Sequence, residues 1–153
     1  MKIISGGQTG VDRAALDAAM ALHMEYGGSI PRGRKAEDGP ISTKYAYLHE
    51  LETDRYEVRT ERNVMDATAT LIFTVGTPTD GTAATIGFTR KHGRPCVIID
   101  LKEKSDDEAI MLVKDWLSEI RPDILNVAGP RESKEPGIHA RTYTILKQAL
   151  SRR

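Results

Sequence analysis

Three short stretches gather the groups that could do chemistry in this chain, and each is rich in glycine. "GGQTGVD" carries Gly6, Gly7, Gln8, Thr9, Gly10 and Asp12; "GTPTDGTAAT" carries Gly76, Asp80, Gly81 and Thr82; "AGPRESKEPG" carries Gly129, Arg131, Glu132, Ser133 and Lys134. Glycine lets a backbone approach an anion closely, and the amides that open a helix carry partial positive charge, so the first two loops are candidate phosphate cradles. The first has neither the GxxxxGK[ST] spacing of a P-loop nor the GxGxxG spacing of a dinucleotide fold. Each reads equally as a capped turn, with Thr9 or Asp12 as N-cap in the first and Asp80 in the second. The third loop holds more charge than a turn requires. Arg131 can grip a phosphate through two parallel hydrogen bonds and Lys134 can neutralise one as a point charge, whereas the same run in isolation reads as a solvated loop.

Two further stretches pose the same choice. "PRGRKAEDG", with Arg32, Arg34, Lys35, Glu37 and Asp38, is either a lid over an anionic ligand or a surface loop that compensates its own charge. In "RYEVRTERNVMDAT", Tyr56, Arg59, Thr60 and Asn63 fall on one helical face and can look into a site, while Glu57, Glu61 and Arg62 read as an exposed, salt-bridged surface. Asp38, Asp80 and Glu132 are the candidate acids or bases. Cys96, in "PCVIID", reads as a small buried hydrophobe. The histidines 23, 49, 92 and 139 lack metal-ligand spacing and read as isolated surface residues, so no protein-bound metal is expected. Trp116 reads as a core or interface residue.

The elements between these stretches decide whether they meet. Lys2 to Ser5 is a short apolar run, and Asp12 to Met24 places Ala15, Leu16, Ala19, Met20 and Met24 at helical spacing. "TLIFTV" (Thr70 to Val75) and "PCVIID" (Pro95 to Asp100) read as strands around a helix that ends near His92-Gly93. Glu108 to Ile120 reads as a helix stopped by Pro122, Ile124 to Ala128 as a strand, and Ile138 to Leu150 as a closing helix. Gly27 to Arg55 reads as a long ordered loop around a short helix. Apolar strands alternating with helices predict an α/β fold, a Rossmann-like three-layer arrangement with a mainly parallel sheet, as a single domain over residues 1–153. Loops after parallel strands emerge at the carboxyl edge, so all three glycine loops are expected at one site.

Composition narrows the classes. Lys plus Arg and Asp plus Glu each number 22, so the net charge is zero and a nucleic-acid partner is not expected. A lone cysteine fits a reducing compartment, and no run approaches the roughly 20 apolar residues that span a bilayer. The N-terminal run is too short for a signal peptide, and a cytoplasmic protein without a membrane partner is expected. No repeat, linker or low-complexity tract is visible.

The segments "SGGQTGVDRAALDAA", "GRKAEDGPI", "RTERNV", "DATATLIF", "GTAATI" and "LNVAGPRESKEPGI" together resemble the molybdenum carrier family, the circularly permuted YpsA-like branch of the SLOG superfamily, over nearly the whole chain. That resemblance implies a LOG-like Rossmann fold and a nucleotide-derived or pterin ligand with a phosphate. Molybdenum cofactor is the named candidate, carried by a homo-oligomer (dimer or tetramer), with molybdoenzymes as partners. It places the phosphate on Gly6, Gly7, Thr9, Gly10, Gly81 and Thr82. LOG hydrolases follow their glycine-threonine loop with a catalytic glutamate; here "DGTAATIGFTR" has no acid after Asp80. A carrier is therefore the first expectation, and a nucleotide N-glycosidase using Asp38, Asp80 or Glu132 is the second.

Overall fold

Strand β5 (Ala69–Thr74) is buried at every residue because it has neighbours on both sides and on both faces. In the computed structural model, which describes residues 1–151, it pairs in parallel with β6 (Cys96–Asp100) and with β7 (Ile124–Ala128). β7 pairs with β1 (Lys2–Ile4), which pairs with β2 (Tyr26–Gly27), giving a five-stranded parallel sheet in the order β2-β1-β7-β5-β6. Helices α1 (Val11–Ala21), α4 (Asp106–Ile120) and α5 (Ile138–Leu150) pack on one face, and α2 (Tyr56–Asp66) and α3 (Asp80–Lys91) on the other. The architecture is the Rossmann-like α/β fold that the alternation of elements predicts. No helix among the described residues is long and apolar enough to cross a membrane.

The two faces of the sheet differ in chemistry. Alternation along β5 and β7 sends Leu71, Phe73, Leu125 and Val127 into an apolar core with Val11, Ile145 and Leu146. The intervening Thr70, Thr74 and Asn126 are also buried, on the side of α2 and α3, where Asn126 donates to the Thr70 hydroxyl at 3.4 Å. Buried hydroxyls and amides cost stability unless they find partners. One layer is thus built for cohesion and the other retains polar groups that can serve a ligand.

The stretch from Gly27 to Arg55 departs from the loop expected. It contains β3 (Ser29–Ile30) and β4 (His49–Glu50), a separate parallel pair, with a 3₁₀ turn at Arg32–Arg34 between them. A second apolar cluster of Leu16, Ile30, Ala36, Ile41 and Tyr45 fastens it to α1. Asn63 clamps it to α2 by accepting from the Ser29 N–H at 2.8 Å and donating to the Ser29 carbonyl at 3.0 Å. Strands of two residues carry no readable alternation, which is why the sequence shows a loop. Other boundaries move by a few residues: α4 begins two residues before Glu108, behind a capping box of Ser105 and Glu108.

Candidate functional site

The chain leaves β7 for α5 on one face and leaves β5 for α3 on the other, so a crevice opens where their carboxyl ends diverge. A cavity of about 330 Å³ fills it, within the range of small-molecule sites. All three glycine loops reach it: Gly6, Gln8 and Asp12 from the first, Asp80, Gly81 and Thr82 from the second, and Gly129, Arg131 and Lys134 from the third. Asn63 lines it from α2.

Helix α3 presents its open end to this cavity. Its N-cap, Thr79, makes no side-chain capping bond; the Thr82 and Ala83 N–H groups return to the Thr79 carbonyl, and those of Asp80 and Gly81 find no such acceptor. Helices α1 and α2 likewise lack a side-chain bond at their N-caps, Gly10 and Arg55, whereas the starts of α4 and α5 are covered. Ser105 caps α4, and the Glu132 carboxylate accepts from the Gly137 N–H at 2.6 Å and the His139 N–H at 3.0 Å at the start of α5. Free amides and the helix dipole favour an anion at α3. Asp80 sits at φ +47°, a left-handed conformation that aspartate tolerates better than most residues, and its carboxylate pairs with Lys134.

At the start of α2, cations gather around one aromatic ring. Arg59, Arg131 and Lys35 lie over Tyr56 at 5.2, 5.6 and 4.6 Å from its centroid. A ring face can attract such cations and hold them in place. Arg131 forms no salt bridge among the described residues, so its fork is available to a ligand. Arg59 is buried and donates to the Gly6 carbonyl at 2.6 Å. A Cβ on Gly6 would stand 2.5 Å from the Arg59 side chain, so the glycine is what lets that guanidinium cross beneath the loop.

Deeper still are Asp12 and Gln8. Burial pushes the Asp12 carboxyl up to about 6, against the opposing pull of Arg59 and of the hydrogen bond from the Gln8 N–H. Burial also lowers the Arg59 guanidinium from its ordinary value. Gln8 turns its Oε1 to the N–H groups of Thr9 at 3.1 Å and Glu37 at 2.8 Å. Its Nε2 is the only fully buried side-chain polar atom among the described residues that has no partner.

Other predicted residues lie elsewhere. Thr9, Gly10, Asp38, Glu132 and Ser133 border a shallow groove on the α1–α5 side with Arg13, Glu37 and His139. Asp38 is gripped by Arg13 at 2.8 Å, whose hydrogen bonds hold its carboxyl below the usual range. Glu37 ties the loops together, accepting from the Thr9 hydroxyl and from Ser133; although burial raises its carboxyl, those bonds bring it below the usual range. Arg34 faces inward on its own loop, donating to the carbonyls of Ile41, Ser42 and Tyr45. Gly7, at φ +74°, turns toward Ile41 and Ile30, and Gly76 donates its N–H to Asp100. Of the three candidate acids, only Asp80 lines the cavity.

Two histidines read as isolated are paired instead: His92 with Glu61 and His139 with Asp17, each at 2.7 Å. Cys96 is partly buried, and burial raises its thiol. Among the described residues no cluster of three potential metal ligands forms. The cavity also takes Thr74, Thr85 and Asn126, which are not among the candidate ligand residues of the glycine loops. Their signal is polar residues at the inward register of otherwise apolar strands and at buried positions of α3.

The family model described as the circularly permutated YpsA SLOG family matches residues 3–150. A crystal structure of a "Putative molybdenum carrier protein" from Syntrophus aciditrophicus SB superposes with a TM-score of 0.95 at 44% sequence identity, covering 98% of this chain and 94% of that chain. No curated protein matches the chain.

Proposed function

The chain belongs to the circularly permutated YpsA SLOG family, and on that premise we propose that it is a binding protein for a phosphorylated heterocycle, with molybdenum cofactor as the candidate cargo. The observation that carries this reading is the uncapped N-terminus of α3, which opens into a cavity alongside Arg131 and Lys134. The phosphate sits on the amides of Asp80 and Gly81, with Arg131 gripping it and Lys134 exchanging Asp80 for it. The heterocycle extends toward Gln8 and Asp12. This donor set suits a phosphate and a polar ring; any molybdenum arrives bound to the ligand, without a protein ligand. The Syntrophus aciditrophicus protein is named a molybdenum carrier, which supports a molybdenum-containing cargo. Assembly as a homo-oligomer and delivery to molybdoenzymes complete the proposal.

Anaerobic purification under reducing conditions, followed by denaturation and mass spectrometry with metal analysis, tests it. A pterin phosphate recovered with molybdenum supports the cargo. A consistently empty protein that also fails to bind added cofactor overturns it.

One observation favours a second reading, a nucleotide N-glycosidase. Asp12 is a cavity carboxyl with an ordinary value of 3.8 raised to about 6, suited to giving a proton to a leaving base or taking one from an attacking water. Release of base and ribose 5-phosphate from a nucleoside monophosphate, lost in Asp12→Asn, supports it. Binding ranks first because Asp38 and Glu132 do not line the cavity and Asp80 is engaged with Lys134.

A further inference from the structure

We propose that Gln8 and Asp12 read the edge of the bound ring, selecting a 2-amino-4-oxopyrimidine, the edge shared by guanine and the pterins, over a 6-aminopurine. This rests on the reading of the cavity as a site for a phosphorylated heterocycle and adds which heterocycles it admits.

The backbone around Gln8 fixes the orientation of its side-chain amide. Two backbone N–H groups, of Thr9 and Glu37, point at one end of the Gln8 side chain, at 3.1 and 2.8 Å. That end must be the oxygen, because a flipped amide would set its NH₂ against two donors. Thr9 and Glu37 border the groove on the α1–α5 side, whereas Gln8 lines the cavity. The Nε2 group is left buried and without an acceptor, in a side chain that is 5% exposed and lines the cavity. Leaving such a donor unsatisfied costs the full desolvation of the group. A ligand carbonyl removes that cost.

Four residues on, Asp12 supplies the complementary group. Its carboxylate stands 3.9 Å from Arg59 Nη1, beyond hydrogen-bond distance. An ionised carboxylate has about four acceptor sites, so it retains capacity for a ring N–H and an exocyclic amine together. The wall thus offers a donor followed by acceptors. Its complement is an edge with C=O, then ring N–H, then NH₂, which guanine and pterins present. The corresponding edge of adenine runs NH₂ and then a bare ring nitrogen, which sets donor against donor at Gln8 and acceptor against acceptor at Asp12. Sites that hydrogen-bond a substrate edge reject the ring that lacks it strongly, because their own polar groups are then left unpaired.

Calorimetric titration of the full chain with GMP, IMP, AMP and 6-hydroxymethylpterin monophosphate tests the assignment. GMP, the pterin phosphate or both should bind about 10- to 100-fold more tightly than AMP, with IMP between them because it lacks the amine that faces Asp12. Preference for GMP over the pterin, or the reverse, identifies which source of the shared edge the site takes. Gln8→Glu keeps an oxygen for Thr9 and Glu37 and replaces only the donor, so it should erase the preference over AMP while leaving AMP affinity unchanged or improved. Asp12→Asn, folded by circular dichroism, should shrink the preference independently. Equal binding of AMP and GMP by the wild-type chain overturns the edge assignment while leaving the phosphate site standing. Equal loss of both nucleotides in Gln8→Glu does the same. Failure of all four ligands to bind overturns the heterocycle site and the edge assignment together.

Discussion

The Asp12 carboxylate stands 3.9 Å from the Arg59 guanidinium, too far for a hydrogen bond, although both groups are buried. Neither is fully relieved of the cost of its burial, and the pair faces a cavity instead of closing on itself. Such an arrangement leaves each group able to engage a third.

Its first consequence is a pH-dependent stability. A carboxyl raised from 3.8 to about 6 by burial binds its proton more tightly in the folded chain, so its charge opposes folding above pH 6. That cost, on the order of 3 kcal/mol at full effect, shrinks as pH falls through 6 and is gone below the unfolded value. Asp12→Asn, which keeps the size of the side chain and removes its charge, should raise the urea midpoint at pH 8. The difference from wild type should hold nearly constant from about pH 8 to 7 and narrow from about pH 6 toward 5. A difference that stays constant over this range contradicts the burial-driven shift.

Arg131 should be costly to lose for binding and cheap to lose for folding. Its guanidinium rests over the Tyr56 ring at 5.6 Å and forms no salt bridge among the described residues. A hydrogen bond to a charged group contributes about 1.5–3 kcal/mol, so Arg131→Ala should weaken binding of a nucleoside monophosphate by about 10- to 100-fold. The melting temperature should change little. Arg131→Lys should restore only part of the affinity, since an ammonium cannot make the two parallel contacts of the fork. Full affinity in Arg131→Ala would place the phosphate elsewhere.

Asp80 should act in the opposite direction. Its carboxylate occupies Lys134 at the mouth of the cavity and places negative charge beside the free amides of α3. A phosphate must displace it, so Asp80→Asn should tighten binding of inorganic phosphate by about two- to five-fold, the scale of an exposed ion pair. Folding should change by less than about 1 kcal/mol. Weaker binding in Asp80→Asn, measured by calorimetry at constant ionic strength, would mean that the carboxylate serves the ligand directly.

How much of this was legible in the sequence depended on element length. β5, β6 and β7 are runs of five or six apolar-rich residues between turn signals, and α1, α4 and α5 repeat apolar residues at helical spacing, so their order and the parallel sheet could be read directly. β2, β3 and β4 are two residues each, and only tertiary pairing defines them. In the site, glycine and charge marked the loops but not which way each side chain turns. Within "PRESKEP", Arg131 and Lys134 line the cavity, while Glu132 between them turns back to the start of α5. Arg34 and Asp38 looked like ligand contacts because their own partners, the carbonyls of Ile41, Ser42 and Tyr45 for one and Arg13 for the other, lie several to many residues away. Gln8 is the converse: nothing in its residue type shows that two backbone donors fix its oxygen and free its nitrogen.

The glycines settle the difference between a bend and a cradle by opposite responses to one methyl group. Gly10 has φ +80°, and a Cβ there would stand 2.3 Å from the Pro130 carbonyl oxygen, which in turn accepts from the Val11 N–H. Gly10→Ala therefore combines backbone strain with a clash against main chain that cannot rotate away. It should lower stability by about 2 kcal/mol or more. Gly81 lines the cavity in the first turn of α3, has no positive φ, and has nothing within 4 Å of an added Cβ. Gly81→Ala should stabilise the ligand-free chain by about 0.5–1 kcal/mol through the helix preference for alanine. The same methyl group crowds the amides offered to the phosphate, so nucleotide affinity should fall while the melting temperature rises. A Gly81→Ala chain that is both more stable and unimpaired in binding would remove the α3 end from the site and leave it an ordinary helix start.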